Sequence, residues 1–186
     1  MKRILLLIFV SVFSFAITEA KDYSILSKPR TDKEKAKKWA KNRRATQLFI
    51  NLADFYWEIC PSLGIDPVVA YCQAAMETGY GRFGGILKET YKNPCGIKTN
   101  SGGDDEKIVS YEKFISWREG IEAHVDHLAL YAGAKGYPKK NTKDPRHFHG
   151  IKGTAVTVRA LEKRWASRKG YGEDIVIMIQ TLLRTK

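Results

Sequence analysis

Cysteine is scarce in this chain, at 3 of 186 residues, and the number is odd. The spacing of Cys60, Cys72 and Cys95 matches neither a small disulfide framework nor a zinc site. Cys72 falls on the apolar side of a predicted helix, where a thiol behaves as a small hydrophobic group. We therefore expect cysteines that serve packing. One disulfide with one free thiol, or a nucleophilic cysteine paired with a histidine, are the alternatives.

Long apolar runs are also scarce, and the one present lies at the start of the chain. Ile4–Ile17 is shorter than the ~20 residues that a membrane-spanning helix needs. Lys2 and Arg3 precede it, and Thr18-Glu19-Ala20 follows with small residues where a signal peptidase reads. The sequence therefore predicts a signal peptide at residues 1–20 and a secreted or cell-envelope protein. A retained membrane anchor is the alternative.

Acidic residues are outnumbered, with 20 Asp and Glu against 32 Lys and Arg and a formal net charge of +12. Such a chain attracts anionic polymers, and for an exported protein these are cell-wall polymers that carry phosphate or carboxylate. No helix-turn-helix, zinc-finger or RNP-type signature is present, so we expect no nucleic-acid partner. Internal repeats, low-complexity tracts and phosphate-cradling loops are missing from the sequence as well. We expect the protein to be a monomer.

The first third of the chain predicts an arm and one long helix. Residues 21–31 lack periodicity and carry a proline, which is typical of a tether. Thr31 and Glu34 form a capping box, and apolar residues then recur at helical spacing from Trp39 onward. Pro61 ends that run. A single domain should therefore occupy residues 32–186.

A helix-to-loop junction follows at residues 64–98. Asp66 can cap a helix, and Pro67 fits its first position because proline has no N–H to lose. The helix should run to Glu77 and end in a glycine-rich turn. A carboxyl group at a buried helix end that faces a glycine-lined cleft is a candidate general acid. An exposed surface glutamate is the ordinary alternative.

The remaining sequence is mainly helical. Amphipathic patterns predict helices over 116–133, over 154–165 and from about Gly172 to the end. In the second of these helices, Val158, Leu161 and Trp165 should face the core. Residues 134–153 should form a long surface loop. The β-prone residues lie near 97–112. These elements predict an α+β domain that is mainly α-helical, with a small β-lobe.

The run A-A-M-E-T-G-Y-G-R around Glu77, followed by N-P-C-G-I-K at 93–98, resembles the glucosaminidase family of peptidoglycan hydrolases, glycoside hydrolase family 73. The likeness continues through 111–133 to 169–175 and covers most of residues 40–184. It implies a lysozyme-like fold with a reduced β-lobe. It also implies a secreted autolysin-type enzyme that cuts the β-1,4 bond after N-acetylglucosamine in peptidoglycan, with no metal or other cofactor.

The resemblance makes Glu77 the catalytic acid, which burial and the negative end of its helix should keep protonated near neutral pH. Tyr171 matches a family tyrosine, although R-K-G precedes it here. Relatives often carry a second acid on the β-lobe, for which Asp104, Asp105 and Glu106 are the acids in the right stretch. Either one of these activates water, or the acetamido oxygen of the substrate attacks while Tyr171 holds it.

Substrate contacts are expected from the turn after Glu77 and from the 93–98 motif. The residues concerned are Tyr80, Gly81, Asn93, Gly96 and Lys98. A lytic transglycosylase or muramidase, which also uses one glutamate at a helix end, is the alternative enzyme. A wall-binding module without catalysis is the alternative from another class.

Four histidines raise the question of a metal site. His124 and His127 stand three apart on a predicted helix, and His147 and His149 flank a phenylalanine in the long loop. Zinc would need these side chains to converge with a carboxylate or thiolate. We expect no metal site and interpret His124 as a hydrogen-bonded structural histidine.

Overall fold

The computed structural model describes residues 21–186, so the predicted signal peptide at residues 1–20 lies outside the described residues. Five α-helices occupy this part of the chain. They are α1 (Lys33–Asn42), α2 (Gln47–Ile59), α3 (Pro67–Glu77), α4 (Trp117–Ala132) and α5 (Tyr171–Leu183). Short 3₁₀ turns and irregular loops connect them. Within residues 21–186, no helix has the length and apolar character needed to cross a membrane.

Helix α3 lies at the centre of the core. Every residue from Pro67 to Ala75 is buried, and the helix packs against α2, α4 and α5. The Asp66 side chain accepts the backbone N–H of Val68 at 3.0 Å, and Pro67 takes the first helical position, as predicted. The helix ends at Glu77. This helix therefore carries one carboxyl group from the core to the molecular surface.

The single helix predicted after residue 31 is divided into two. Asp32, rather than Thr31, caps α1 by accepting the N–H of Lys35 at 2.8 Å. The chain then turns through Arg44 at a φ of 54°, and Thr46 caps α2. The Thr46 backbone N–H donates to the carbonyl of Tyr80 at 3.1 Å, which holds the turn against the end of α3. The prediction of one continuous helix is wrong because Thr46 starts a second one.

The N-terminal arm, 21–31, is packed onto the domain, which differs from the predicted tether. Tyr23 and Ile25 are buried, whereas their neighbours Ser24 and Leu26 are exposed. The Ile25 N–H donates to Val156 O at 3.1 Å, and the Ile25 carbonyl accepts the Asp66 N–H at 3.0 Å. This alternation of buried and exposed residues spans four residues, too few to stand out in the sequence.

The helix predicted over 154–165 is reduced to one 3₁₀ turn, Arg159–Leu161. Its backbone donors are used elsewhere: Ala155 N–H donates to Tyr131 O at 3.0 Å, and Val158 N–H donates to Tyr23 O at 2.9 Å. Val158 and Leu161 are nevertheless buried, as predicted. The hydrophobic pattern therefore identified the core positions but not the backbone conformation.

The mainly helical class with a reduced β-lobe is confirmed. At 97–112 the structure has one antiparallel bridge, Lys98 to Tyr111, and a 3₁₀ turn at Ile108–Ser110. Bonds from Thr99 N to Ser110 O and from Glu112 N to Ile97 O, both 2.9 Å, flank the bridge. This short pairing is the β-lobe of the described chain.

Candidate active site

Glu77 and Tyr171, which are 94 residues apart, meet where the end of α3 packs against the start of α5. The Tyr171 hydroxyl donates a hydrogen bond to Glu77 Oε1 at 2.5 Å. Tyr171 is 3% exposed, whereas Glu77 is partly exposed. Burial beside Glu77 raises the pKa of Tyr171 well above its ordinary value, so the phenol remains a donor. The carboxyl group is thus reachable but fixed from the protein side.

A chain of buried hydrogen bonds continues inward from Tyr171. Gln73 Nε2 donates to the Tyr171 hydroxyl at 2.8 Å, and His124 Nε2 lies 3.0 Å from Gln73 Oε1. The Tyr56 hydroxyl lies 2.9 Å from His124 Nδ1. An amide oxygen only accepts, so His124 carries its proton on Nε2 and accepts from Tyr56. Every donor in the chain therefore points towards Glu77.

His124, the histidine of this hydrogen-bond chain, is neutral. Burial lowers the pKa of His124 to about 3, so a single ring N–H is present at neutral pH. The prediction that His124 is a hydrogen-bonded histidine is confirmed. Its partners are Tyr56 on α2 and Gln73 on α3, so His124 itself links α4 to these two helices.

Burial raises the pKa of Glu77 to about 6. Hydrogen bonds from Tyr171 and Trp165, and the charge of Arg168, act in the opposite direction by stabilising the carboxylate. Arg168 is held nearby by an ion pair with Asp174 at 2.6 Å. A carboxyl group with this pKa is in part protonated near neutral pH, which is what a general acid requires.

The partly exposed Glu77 carboxyl group lies next to Gly96 of the 93–98 loop and next to Trp165, and the space beside these residues is named the cleft. Gly96 has a φ of 71°, and a Cβ at this position would lie 3.9 Å from Glu77 Oε2 and 3.8 Å from the Tyr111 ring. Gly96 therefore keeps space open over Oε2, the carboxyl oxygen that Tyr171 does not bind. A cavity of about 190 Å³ adjoins it, with Gly96 and Trp165 in its wall.

Asn93 supports this loop from below. It is fully buried, its Nδ2 donates to Ile97 O at 2.8 Å and Glu112 O at 3.0 Å, and its Oδ1 accepts the Ile97 N–H at 3.0 Å. Both amide hydrogens are thereby used. Asn93 therefore holds the loop in shape and has no amide hydrogen to offer a substrate, which differs from the contact predicted for it.

The predicted second acids lie at the exposed rim of the β-lobe. The Asp105 side chain is 83% exposed and pairs with Lys98, whose Nζ also donates to Gly103 O at 2.6 Å. Glu106 and Asp104 are exposed too. The Tyr111 hydroxyl donates to Asp105 O at 2.9 Å, so Tyr111 joins this rim to Gly96. The hydrogen bonds and ion pairs of these three acids in the described structure are made with residues of the β-lobe itself.

Tyr80 and Gly81 serve packing in the described structure. The Tyr80 ring lies 5.5 Å from that of Trp39 and 6.3 Å from that of Phe49, on the core side. Gly81 has a φ of 82°, and a Cβ there would come within 2.3 Å of Thr46 Oγ1. The close approach predicted for a ligand at Gly81 is therefore made by the α1–α2 turn instead.

The cysteines of the described chain are packed in its interior. Cys60, Cys72 and Cys95 are buried and unpaired, and burial raises each thiol pKa well above its ordinary value, which disfavours a nucleophilic thiolate. Over residues 21–186, no three His, Cys, Asp or Glu side chains are arranged to hold a metal ion.

A larger cavity of about 670 Å³ lies away from this site, beside the end of α2, α4 and residues 139–143. None of the predicted site residues lines it.

Three residues lie at the site although the sequence did not predict them as site residues: Gln73, Tyr111 and Trp165. Gln73 had a signal, because it stands four residues before Glu77 and so shares its helix face. Trp165 was assigned only to the core, and it faces both Glu77 and the adjoining cavity. Tyr111 had no signal in the sequence, because only the Lys98–Tyr111 bridge of the folded chain brings it beside Gly96.

The chain is similar to known proteins. The family model described as glucosaminidase, mannosyl-glycoprotein endo-beta-N-acetylglucosaminidase, matches residues 53–184. An uncharacterized protein of Borreliella burgdorferi is 32% identical over 120 residues, or 64% of this chain and 56% of that protein, so this chain spans little more than half of its relative.

Among solved structures, the catalytic domain of the autolysin Auto from Listeria monocytogenes superposes with a TM-score of 0.47 at 20% identity, over 86% of this chain and 100% of that domain. The family model covers well over half of the chain and includes Glu77, the 93–98 loop and Tyr171. On that match, the chain belongs to the glucosaminidase family, as its motifs predicted.

Proposed function

We propose that this protein is a glycoside hydrolase that cleaves the β-1,4 bond after N-acetylglucosamine in the glycan strands of peptidoglycan. Membership of the glucosaminidase family supports the class of reaction. The observation that carries the proposal is Glu77 itself, which is partly exposed beside Gly96, accepts a hydrogen bond from Tyr171 and has its pKa raised to about 6. Glu77 acts as the general acid.

The geometry suggests which carboxyl oxygen carries the proton. Oε1 accepts the hydrogen bond from Tyr171, so the proton of the neutral acid resides on Oε2, on the side of Gly96. Oε2 donates this proton to the glycosidic oxygen as the bond to the anomeric carbon breaks. The carboxylate left behind is stabilised by the donors Tyr171 and Trp165.

The nucleophile in this proposal is the acetamido oxygen of the substrate. Exposed Asp105 is paired with Lys98, and exposed Glu106 is bonded through its backbone N–H to Asp104 in the same turn. The acetamido oxygen attacks the anomeric carbon to form a cyclic oxazolinium. Water then opens this ring, and the Glu77 carboxylate takes the proton of that water, which restores the acid. No metal or organic cofactor takes part in these steps.

Tyr171 acts as a positioning residue rather than as a substrate ligand. Its one proton is donated to Glu77 and its oxygen accepts from Gln73, so Tyr171 has no proton left to donate to an acetamido oxygen. Gln73 is in turn fixed by neutral His124. We infer that the chain from Tyr56 to Tyr171 keeps a hydroxyl donor aimed at Glu77 throughout the reaction.

In this proposal the reaction takes place in the cell envelope, to which the predicted signal peptide delivers the protein. The protein acts there as a monomer. Exposed cations on and after α1, among them Lys38, Lys41 and Arg44, give a basic surface. In this proposal that surface attracts wall polymers carrying phosphate or carboxylate.

Product analysis tests the proposal. The mature protein and its Glu77→Gln variant are incubated with purified cell wall, and the new chain ends are identified by mass spectrometry. We expect reducing-end N-acetylglucosamine from the wild type and none above background from the variant. Anhydromuramyl ends would instead identify a lytic transglycosylase, reducing-end muramic acid a muramidase, and binding without new ends a wall-binding module. Each of these three results would overturn the proposal.

A further inference from the structure

A small basic cavity of about 190 Å³ lies beside the cleft of Glu77. Its lining includes three cations, Lys98, Arg146 and Arg164, and no aspartate or glutamate. Gly96, His127 and Trp165 also line it. Ligand pockets for whole small molecules usually enclose about 300–1,000 Å³. A cavity of this size therefore suits one substituent of a larger substrate.

The cavity and the cleft share two walls. Gly96 faces Glu77 Oε2 and also lines the cavity. Trp165 lies next to Glu77 and lines the cavity, where its ring packs against the ring of His127 at 5.0 Å. A group bound in the cavity would consequently belong to a sugar next to the bond that is cleaved.

Negative charge behind the cavity is already engaged by the protein. Asp144 is 3% exposed, and its carboxylate lies 2.7 Å from His127 Nδ1 and 3.1 Å from His147 Nδ1. It also accepts the backbone N–H of Arg146 at 2.8 Å. Asp144 thereby holds His127 and the Arg146 loop in the wall, and both of its carboxylate oxygens are engaged by these bonds.

The cations of the wall keep donors for a ligand. Arg146 Nη1 donates to Asn100 O at 3.1 Å, and its guanidinium lies over the Phe148 ring. Arg164 is exposed. A guanidinium has five N–H donors in a planar fork that matches a carboxylate, so one bond does not exhaust it. Lys98 is neutralised by Asp105, which leaves the two arginines as the recognising groups.

We propose that this cavity is a carboxylate subsite, in which Arg146 and Arg164 bind an acid group carried by the glycan beside the cleaved bond. The inference rests on the proposed function, because it takes the substrate to be peptidoglycan. There the muramic acid residue carries a lactyl group whose carboxyl is either free or linked to a peptide with carboxylates of its own. Both sources present the same chemistry to the two arginines.

Three glycan substrates separate these sources. The first is the peptide-bearing strand, the second is the strand stripped of peptide with a free lactyl carboxylate, and the third is that stripped strand with the carboxyl converted to a neutral methylamide. The quantity measured is the ratio of kcat/KM for each acidic substrate to kcat/KM for the neutral one. Arg146→Gln and Arg164→Gln remove one cation each, and Arg184→Gln removes an exposed cation that does not line the cavity.

We expect the ratio to fall about tenfold or more in both cavity variants, because charge-assisted hydrogen bonds are lost. Arg184→Gln should keep the wild-type ratio. A fall confined to the peptide-bearing strand assigns the subsite to the stem carboxylates, and a fall on the stripped strand assigns it to the lactyl group. An unchanged ratio in both cavity variants overturns the subsite.

The two proposals fail differently in this experiment. If the wild type cleaves none of the three strands, the proposed function itself is wrong. If it cleaves them all and the arginine variants keep its ratios, only the subsite is wrong. Equal thermal unfolding of wild type and variants shows that any change in ratio does not come from misfolding.

Discussion

Replacing Tyr171 with phenylalanine removes the hydroxyl that donates to Glu77 Oε1 at 2.5 Å, while the ring stays in place between α3 and α5. That hydrogen bond stabilises the carboxylate and so lowers the pKa of Glu77 against the effect of burial. A hydrogen bond to a charged group contributes about 1.5–3 kcal/mol, and one pKa unit corresponds to about 1.4 kcal/mol. The pKa of Glu77 should therefore rise by about one to two units from about 6.

The pH dependence of kcat/KM on cell wall measures this shift. A general acid works only when protonated, so activity falls as pH rises through its pKa. In Tyr171→Phe the alkaline limb should move up by about one to two pH units, while the maximum falls by up to about 100-fold because the carboxyl is less well oriented. A variant that has lost only packing would lose activity at every pH without moving that limb.

Tyr23→Phe is the matched control, because Tyr23 is also buried but lies in the N-terminal arm. Its pH profile should coincide with that of the wild type. The reasoning is refuted if the alkaline limb of Tyr171→Phe stays where it is or moves to lower pH. Profiles are recorded well below the unfolding temperature of each variant, since Gln73 loses a buried partner when the hydroxyl is removed.

Three further changes test other parts of the structure. Gln73→Leu should shift the alkaline limb in the same direction but by less. It should also lower the free energy of unfolding by about 1–3 kcal/mol, because His124 and Tyr171 lose a buried partner. An unshifted limb would argue against a role for the hydrogen-bond chain in setting the pKa of Glu77. Gly81→Ala should lower the free energy of unfolding by about 1–3 kcal/mol in denaturant titration, because the added Cβ would meet Thr46 and Phe49 and the residue has a positive φ. Gly84→Ala is the control, and it should be nearly neutral because the space around Gly84 is open. Asp105→Asn should reduce kcat on cell wall by less than about tenfold, because the acetamido route does not use it; a loss of about 100-fold or more would favour the water route instead.

Local signals in the sequence were sufficient for α3 and for its carboxyl group. Asp66 and Pro67 fix the start of the helix by side-chain capping and a missing N–H, which depend on neighbouring residues alone. The motif around Glu77 then identified the family. The start of α4 at Ser116 and its end at Gly133 followed from the same kind of signal.

Long-range contacts account for what the sequence did not predict. Residues 154–165 have helical spacing, yet their N–H groups bond to Tyr23 and Tyr131, which lie far away in the chain. The hydrogen-bond chain to Glu77 joins α2, α3, α4 and α5, so no window of sequence contains it. Asn93 and Gly81 were correctly singled out as special residues, but their partners turned out to be the protein's own backbone and side chains.

The proposed mechanism depends on Glu77 as the proton donor, and one comparison of two proteins tests this role most directly. Turnover of purified cell wall and binding to the same wall are measured for the wild type and for Glu77→Gln, which keeps the size of the side chain but has no acidic proton. We predict that turnover falls by about 100-fold or more while wall binding stays within about twofold. Turnover of the glutamine variant close to that of the wild type would contradict the account.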